Sequence, residues 1–344
     1  MRIAIVNDMR TAVEALRRVI ASSPEHEVAW LAFDGADAAE RCREDTPDVV
    51  LMDLIMPNVD GVEATRRIMR DSPCAVLVVT ASVDQNASLV FDAMGHGALD
   101  AVNTPVLLRS DVQGGGELLA KLERIGKLLD RRTGPGVVAG APAPHEPGPA
   151  ALLAIGASTG GPRALATVLR ALPADLGATT IVIQHVDAQF SAGLRDWLTH
   201  ESGKTVRLAA EGAAVGGPEV FLAGTNDHLV LRPDHSLAYV REPADYPYRP
   251  SVDILFGSVA AHWRGTAVGV LLTGMGRDGA EGLLAMRRAG WTTIAQDRDT
   301  SVVYGMPKAA AEIGAALRVL PLDAVAPAIV GALHAATGMR RTSA

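Results

Sequence analysis

The sequence predicts an α/β protein made of two doubly wound, mostly parallel sheets, one in each half of the chain. Three observations predict it. Short apolar runs alternate with stretches of helical periodicity, the beat of strands joined by crossover helices. A stretch rich in Pro, Gly and Ala, RRTGPGVVAGAPAPHEPGPA at 131–150, breaks that beat and can build no core. The 344 residues, 48% hydrophobic and only 4% aromatic, suit about two compact domains that each bury a core. The expected organisation is therefore a domain at 1–130, a linker at 131–150 and a second domain at 151–340, with His145 a bystander in the linker.

In the first half, RIAIV (2–6) reads as a strand, and Ala12, Val13, Leu16, Val19 and Ile20 mark the apolar face of the helix after it. Strands follow at 28–33, 48–52, 75–79 and 98–102, and helices at 36–45, 62–70, 85–94 and 117–129. Chemistry in such a sheet collects at the carboxyl ends of the strands. Three polar residues fall there: Asp8 after the first strand, Asp53 at the end of VVLMD and Thr80 at the end of VLVVT. Two carboxylates at one edge repel unless a divalent cation lies between them, and such oxygen donors suit Mg²⁺. One of the pair can then accept a phosphoryl group, with the Thr80 hydroxyl touching a phosphoryl oxygen.

The second half opens on LLAIGASTGGPRAL (152–165), an apolar strand, a glycine-cornered turn holding Ser158, and a helix with Pro162 in its first turn. Two readings fit this stretch alone. A nucleophile elbow exposes a serine hydroxyl where strand reverses into helix, and a glycine-rich turn can equally cradle a phosphate on the helix N-terminus. Further strands are expected at 179–183, 266–274, 292–297 and 316–320, with helices at 161–171, through Phe190, Leu194 and Trp197, after Ser251 as N-cap, and at 323–336. Residues 205–241 read as a small antiparallel excursion at one side of the sheet. His185 ends the strand TTIVI-Gln184-His185, and Asp278 lies in a second glycine-cornered turn, GMGRDGAEG. A nucleophile, a base and an orienting carboxylate at one sheet edge favour the elbow over the phosphate site. His228 and His235 as bases, and Asp187, Asp227 or Asp253 as acids, are the rivals, and none of them combines a strand end with a glycine turn. The order Ser, His, Asp differs from that of the α/β-hydrolases.

VVLMDLIMPNVDG, with Asp53, Met56, Pro57 and Gly61, resembles the phosphoacceptor segment of two-component receiver domains over about the first 130 residues. The resemblance implies a flavodoxin-like five-stranded parallel sheet, phosphorylation at Asp53, Mg²⁺ held by Asp8, Asp53 and the Ile55 carbonyl, and Thr80 as the switch hydroxyl. The family's acidic pair begins here with Asn7, and its lysine before the proline after the last strand is Thr104. AIGASTGGP, IVIQH, YRPSVDILF and LLTGMGRDGA resemble the catalytic segments of the chemotaxis protein-glutamate methylesterases, CheB-type response regulators that fuse a receiver to a serine esterase. That resemblance implies Ser158 as nucleophile, His185 as base, Asp278 as orienting acid, the Met275 amide in the oxyanion hole and a Thr159 hydroxyl that helps hold the histidine. It implies no cofactor for the esterase. MRIAIVNDM and DAMGHGALDAVNTP further resemble the Wsp-type branch of surface-sensing pathways.

Composition narrows the function classes. A net charge of -7 leaves no broad basic footprint for nucleic acid. No apolar run approaches the ~18 residues of a membrane span, and MRIAIVNDMR lacks a signal-peptide layout, so a cytoplasmic protein without direct membrane insertion is expected. Cys42 and Cys74 show no metal-ligand spacing. By the resemblance, the expected activity is hydrolysis of glutamate γ-methyl esters on a methylated chemoreceptor-like membrane protein, with deamidation of receptor glutamine by the same chemistry and a sensor histidine kinase as phosphodonor. A phospho-responsive adaptor without turnover and a general small-ester hydrolase are the alternatives.

Overall fold

The computed structural model describes residues 1–83, 85–108, 111–130 and 151–341; the expected linker at 131–150 lies outside them. The chain divides into two compact units, Met1–Arg132 and Thr133–Ala344.

The first unit runs β1 (Arg2–Val6), α1 (Arg10–Ala21), β2 (Glu27–Ala32), α2 (Gly35–Glu44), β3 (Val49–Met52), α3 (Gly61–Asp71), β4 (Ala75–Thr80), α4 (Ala87–Gly95), β5 (Asp100–Asn103), β6 (Val106–Leu108), β7 (Asp111–Gln113) and α5 (Gly115–Asp130). The five main strands form a parallel sheet in the order β2-β1-β3-β4-β5. Helices cover both faces, so β3 and β4 carry unbroken apolar runs. Asp34 and Asp60 cap α2 and α3, accepting from the amides of Ala36, Asp37 and Glu63 and so satisfying N–H groups that have no partner inside the helix. The antiparallel pair β6–β7 was not expected, being two three-residue strands with little pattern to read.

The second unit runs β8 (Ala151–Ala157), α6 (Gly161–Ala171), β9 (Ala178–Gln184), a short 3₁₀ turn at Ala188–Phe190, α7 (Ser191–Ser202), β10 (Val206–Leu208), β11 (Val220–Leu222), β12 (His228–Leu231), β13 (Leu237–Val240), α8 (Val252–His262), β14 (Thr266–Leu271), α9 (Ala280–Arg288), β15 (Thr292–Gln296), α10 (Met306–Glu312), β16 (Arg318–Leu320) and α11 (Leu322–Arg341). Its seven-stranded sheet has the order β10-β11-β9-β8-β14-β15-β16, with every neighbouring pair parallel. β8 is central, with β9 on one side and β14 on the other, so the strand order reverses there and a crevice opens beyond the carboxyl ends of these three strands.

The antiparallel excursion expected at 205–241 is only half of what forms. β10 and β11 are parallel members of the main sheet, and only β12 and β13 pair antiparallel, as a separate ribbon. The turn residues show where the chain bends but not which neighbour a strand will find. Leu229, Leu231 and Leu237 of the ribbon share a buried cluster with Leu255, Phe256 and Val259 of α8, and so brace that helix. α10, with Pro307 in its first turn, was also not expected.

Gly156, on β8, faces the start of α8. A Cβ there would lie 2.2 Å from Val252 Cγ1 and 2.8 Å from Cγ2, closer than atoms pack. Gly156→Ala is expected to destabilise the second unit by about 1–3 kcal/mol. Val252→Ala in the same chain should recover part of that loss, a coupling that a double-mutant cycle by urea denaturation would measure.

Candidate active site

Ser158 stands immediately beyond β8, where the chain turns into α6. Its backbone is held on three sides: its N–H donates to the Thr273 carbonyl (3.0 Å), and its carbonyl accepts from Gly161 N (2.7 Å) and Gln184 Nε2 (2.9 Å). Gly160 takes the left-handed conformation (φ 77°) that the reversal needs, and Pro162 starts the helix in its preset φ. His185 leaves the neighbouring strand one residue past the Ala157–Gln184 pair, and its amide donates to the Ala157 carbonyl at 3.0 Å. The serine and the histidine therefore emerge side by side. Asp278 comes from the turn after β14, the neighbour of β8 on its other side.

His185 and Asp278 meet. Asp278 Oδ2 lies 2.7 Å from His185 Nε2, with the Asp278 side chain fully buried. A buried carboxylate needs several donors to remain ionised. Asp278 accepts from Ser251 Oγ at 2.7 Å, Val252 N at 2.7 Å and Asp253 N at 3.1 Å, with Tyr246 Oη at 3.5 Å. Ser251 is the N-cap of α8, so the first turn of that helix aims its free N–H groups at the carboxylate. Burial pushes the Asp278 pKa up, but the bond to His185 and the α8 donors outweigh it and hold the carboxyl below its usual range.

With Nε2 committed to Asp278, Nδ1 of His185 is the nitrogen left to act as base; it is buried and has no hydrogen-bond partner among the described residues. The Thr159 hydroxyl is likewise buried without a partner, so it does not hold the histidine as expected; the Thr159 carbonyl instead accepts from Thr273 Oγ1 at 2.9 Å. Two aromatic residues that sequence reasoning passed over bound the site. Tyr248 stacks on the His185 ring, with centroids 4.6 Å apart and planes 15° apart. Tyr246 donates to Asp253 Oδ2 at 3.0 Å. Both lie in YPYRPS, where two of the chain's four tyrosines sit among prolines, and Tyr248 opens the segment YRPSVDILF; these are the signals that could have drawn attention to them.

The rivals are engaged elsewhere. His228 is fully buried on β12, bonded at Nδ1 by Ser251 N and at Nε2 to the Pro243 carbonyl, and burial lowers its pKa. His235 sits in the β12–β13 turn against Trp263. Asp187 caps the 3₁₀ turn, and Asp227 pairs with Arg249 at 2.6 Å. Asp253 is buried beside Asp278 and accepts from Gly282 N at 2.7 Å. Burial and then the charge of Asp278 push its pKa well above the usual carboxylate range.

In the first unit, Asp53 is nearly buried at the end of β3, accepting from Leu54 N at 2.7 Å and Asn7 Nδ2 at 3.0 Å. Burial is the main reason its pKa is pushed up to about 6. Asp8, past the end of the neighbouring strand β1, and Ile55, two residues on from Asp53, are exposed. The donors in reach of a cation are all oxygens, two carboxylates and a carbonyl, a set that fits a hard divalent ion. Asn7 in place of an acid adds an N–H that occupies one Asp53 oxygen. Thr80, buried at the end of β4, accepts from Asn86 Nδ2 at 2.9 Å. The buried Lys121 pairs with Asp100 at the opposite end of β5 from Thr104 and does not supply the missing cation.

The chain is similar to known proteins over nearly its whole length. A family described as CheB methylesterase matches residues 153–329, and one described as response regulator receiver domain matches residues 3–110. A protein-glutamate methylesterase/protein-glutamine glutaminase of Burkholderia orbicola (strain AU 1054) is 56% identical over 96% of this chain and 97% of its own. One of Pseudomonas aeruginosa is 53% identical over 95% of this chain and 98% of its own. The crystal structure of the Thermotoga maritima CheB methylesterase catalytic domain superposes with a TM-score of 0.51 at 33% identity, covering 53% of this chain and 98% of that one.

The Asp253 carboxyl carries a proton in the fold that it releases on unfolding, because its ordinary pKa is near 4. The unfolded chain thus binds fewer protons above that pH, and stability falls as pH rises through this range. Asp253→Asn removes the titration. Its stability relative to the parent should therefore rise between about pH 5 and about pH 8, read by urea denaturation in a Trp30→Phe background, where the tryptophans that remain all lie in the second unit.

Proposed function

The chain belongs to the CheB methylesterase family, with a receiver domain on its N-terminal side, and from that membership we propose that Ser158, His185 and Asp278 carry out its reaction. The protein is a protein-glutamate methylesterase, and its relatives' names add glutamine deamidation. The adaptor reading is set aside with that membership. The observation that carries the residue assignment is the bond from His185 Nε2 to a carboxylate kept ionised by the α8 N-terminus, which leaves Nδ1 without a partner among the described residues, at the end of the strand paired with the one that leads to Ser158.

In this reading Ser158 Oγ attacks the γ-carbonyl of a glutamyl methyl ester while His185 Nδ1 takes its proton. The Met275 N–H, which makes no hydrogen bond among the described residues, meets the oxygen that becomes negative. Collapse expels methoxide, which takes the proton from the imidazolium and leaves as methanol. Water, deprotonated by Nδ1, then attacks the acyl-enzyme, Oγ regains that proton from the imidazolium as it leaves, and the glutamic acid released gives its own proton to solvent. Asp278 stays ionised throughout and stabilises the imidazolium. With a glutamine side chain the same steps release ammonia. The substrate is a methylated chemoreceptor-like membrane protein.

The receiver accepts a phosphoryl group, by this reading on Asp53 and from a sensor histidine kinase, with Asp8, Asp53 and the Ile55 carbonyl as ligands of Mg²⁺ and Thr80 as the responding hydroxyl. Mg²⁺, when bound, offsets the negative charge that gathers during transfer. The domains are 1–130 and 151–340, joined by 131–150, and the protein acts in the cytoplasm; no described helix is long and apolar enough to cross a membrane. The pathway is of the Wsp-type surface-sensing kind.

Methanol release from methylated receptor membranes tests the triad. Ser158→Ala should lower it by about 10³-fold or more with folding unchanged, and a variant as active as the parent would return the adaptor or another nucleophile. Labelling from a small phosphodonor tests Asp53. With Mg²⁺ present, Asp53→Asn should abolish it.

A further inference from the structure

One hydrogen bond does not fix an imidazole. The Nε2–Asp278 contact sets a distance at one edge of the His185 ring, but the ring can still tilt about that edge, and a tilt moves Nδ1. A base displaced by about 1 Å can cost ~10² in rate. A second constraint, one that fixes the plane, is needed. Tyr248 supplies the matching surface: its ring lies nearly parallel to the imidazole at 4.6 Å, offset-stack distance for two aromatic rings.

We infer that Tyr248 is a positioning residue that sets the plane of the His185 ring, and so the direction of Nδ1, relative to the turn carrying the Met275 amide. The inference rests on the triad reading above. Two further observations support it. Tyr248 touches that turn as well as the histidine: a Cβ on Gly276, the residue after Met275, would lie 1.9 Å from Tyr248 Oη, so the phenol lies directly against the Gly276 backbone. The segment that presents Tyr248 is also fixed at both ends to the acid network. Tyr246 bonds Asp253, Ser251 bonds Asp278, and Arg249 between them pairs with Asp227. Pro247 and Pro250 restrict the backbone on either side. One short segment thereby holds the acid, faces the base and abuts the oxyanion turn.

The full chain is compared with Tyr248→Phe, Tyr248→Leu and Ser158→Ala by methanol release from methylated receptor membranes and by the rate at which phenylmethylsulfonyl fluoride modifies Ser158. Y248F keeps the stacked ring and loses only the hydroxyl that abuts Gly276, and should lose no more than about fivefold in kcat. Y248L should lose about 10- to 100-fold in kcat with KM within about twofold, and sulfonylation should slow in parallel. The inference is overturned if Y248L keeps its kcat, if its loss falls on KM, or if Y248F falls as far as Y248L. Should Y248L unfold by circular dichroism, Y248H against Y248M repeats the contrast of ring with aliphatic chain. A fully active Ser158→Ala would overturn the triad reading itself, whereas a dead Ser158→Ala beside an unaffected Y248L removes only the role of Tyr248.

Discussion

A carboxylate with no access to water governs the second unit. Asp278 is charged in a place where charge is costly, and it can stay so only because the first turn of α8, the Ser251 hydroxyl and His185 all turn toward it. Removing any donor leaves the others facing a group that would rather take a proton. The fold has to bring α8 end-on to the β14–α9 turn, and it does so by bracing α8 from outside with the β12–β13 ribbon and by leaving no side chain on β8 at Gly156 where Val252 passes. Packing and the proposed catalysis thus share the same atoms at the start of α8.

The neighbouring Asp253 shows how the two carboxyls divide the charge. Side by side and buried, they cannot both ionise cheaply, and the one with three strong donors and a histidine keeps the charge while the other keeps a proton. Tyr246 bridges them. The receiver presents a milder version: Asp53 keeps 8% of its surface exposed, its pKa moves only to about 6, and an amide rather than a second acid from position 7 faces it.

Much of this was legible in the chain. The apolar runs of β3 and β8, and those inside β4 and β9, announce strands covered on both faces, and Asp53, Ser158 and His185 stand just past the ends of such strands, where the sequence places them. The direction of β10 and β11 was not legible, because it is decided by which distant strand each one meets. Nor was the clamp on Asp278, whose donors lie 25 to 27 residues earlier in the chain. The choice of Nδ1 over Nε2 and the unpaired Thr159 hydroxyl follow from ring and rotamer orientation, which no spacing encodes. Tyr248 reads in sequence as one aromatic among prolines, and only the stack gives it a meaning.

The position of β8 in its sheet bears on how the molecule breathes. Proteins open first at their margins, where few hydrogen bonds must be broken. Here the margins are β10 and β16, each three residues long, while the three strands that deliver Ser158, His185 and Asp278 lie together in the middle. Fraying at either rim can therefore come and go without passing through the reacting groups, and backbone amides along β8, β9 and β14 should be the last of the sheet to exchange with solvent. In the proposed reading the chemistry sits in the part of the sheet that opens least often.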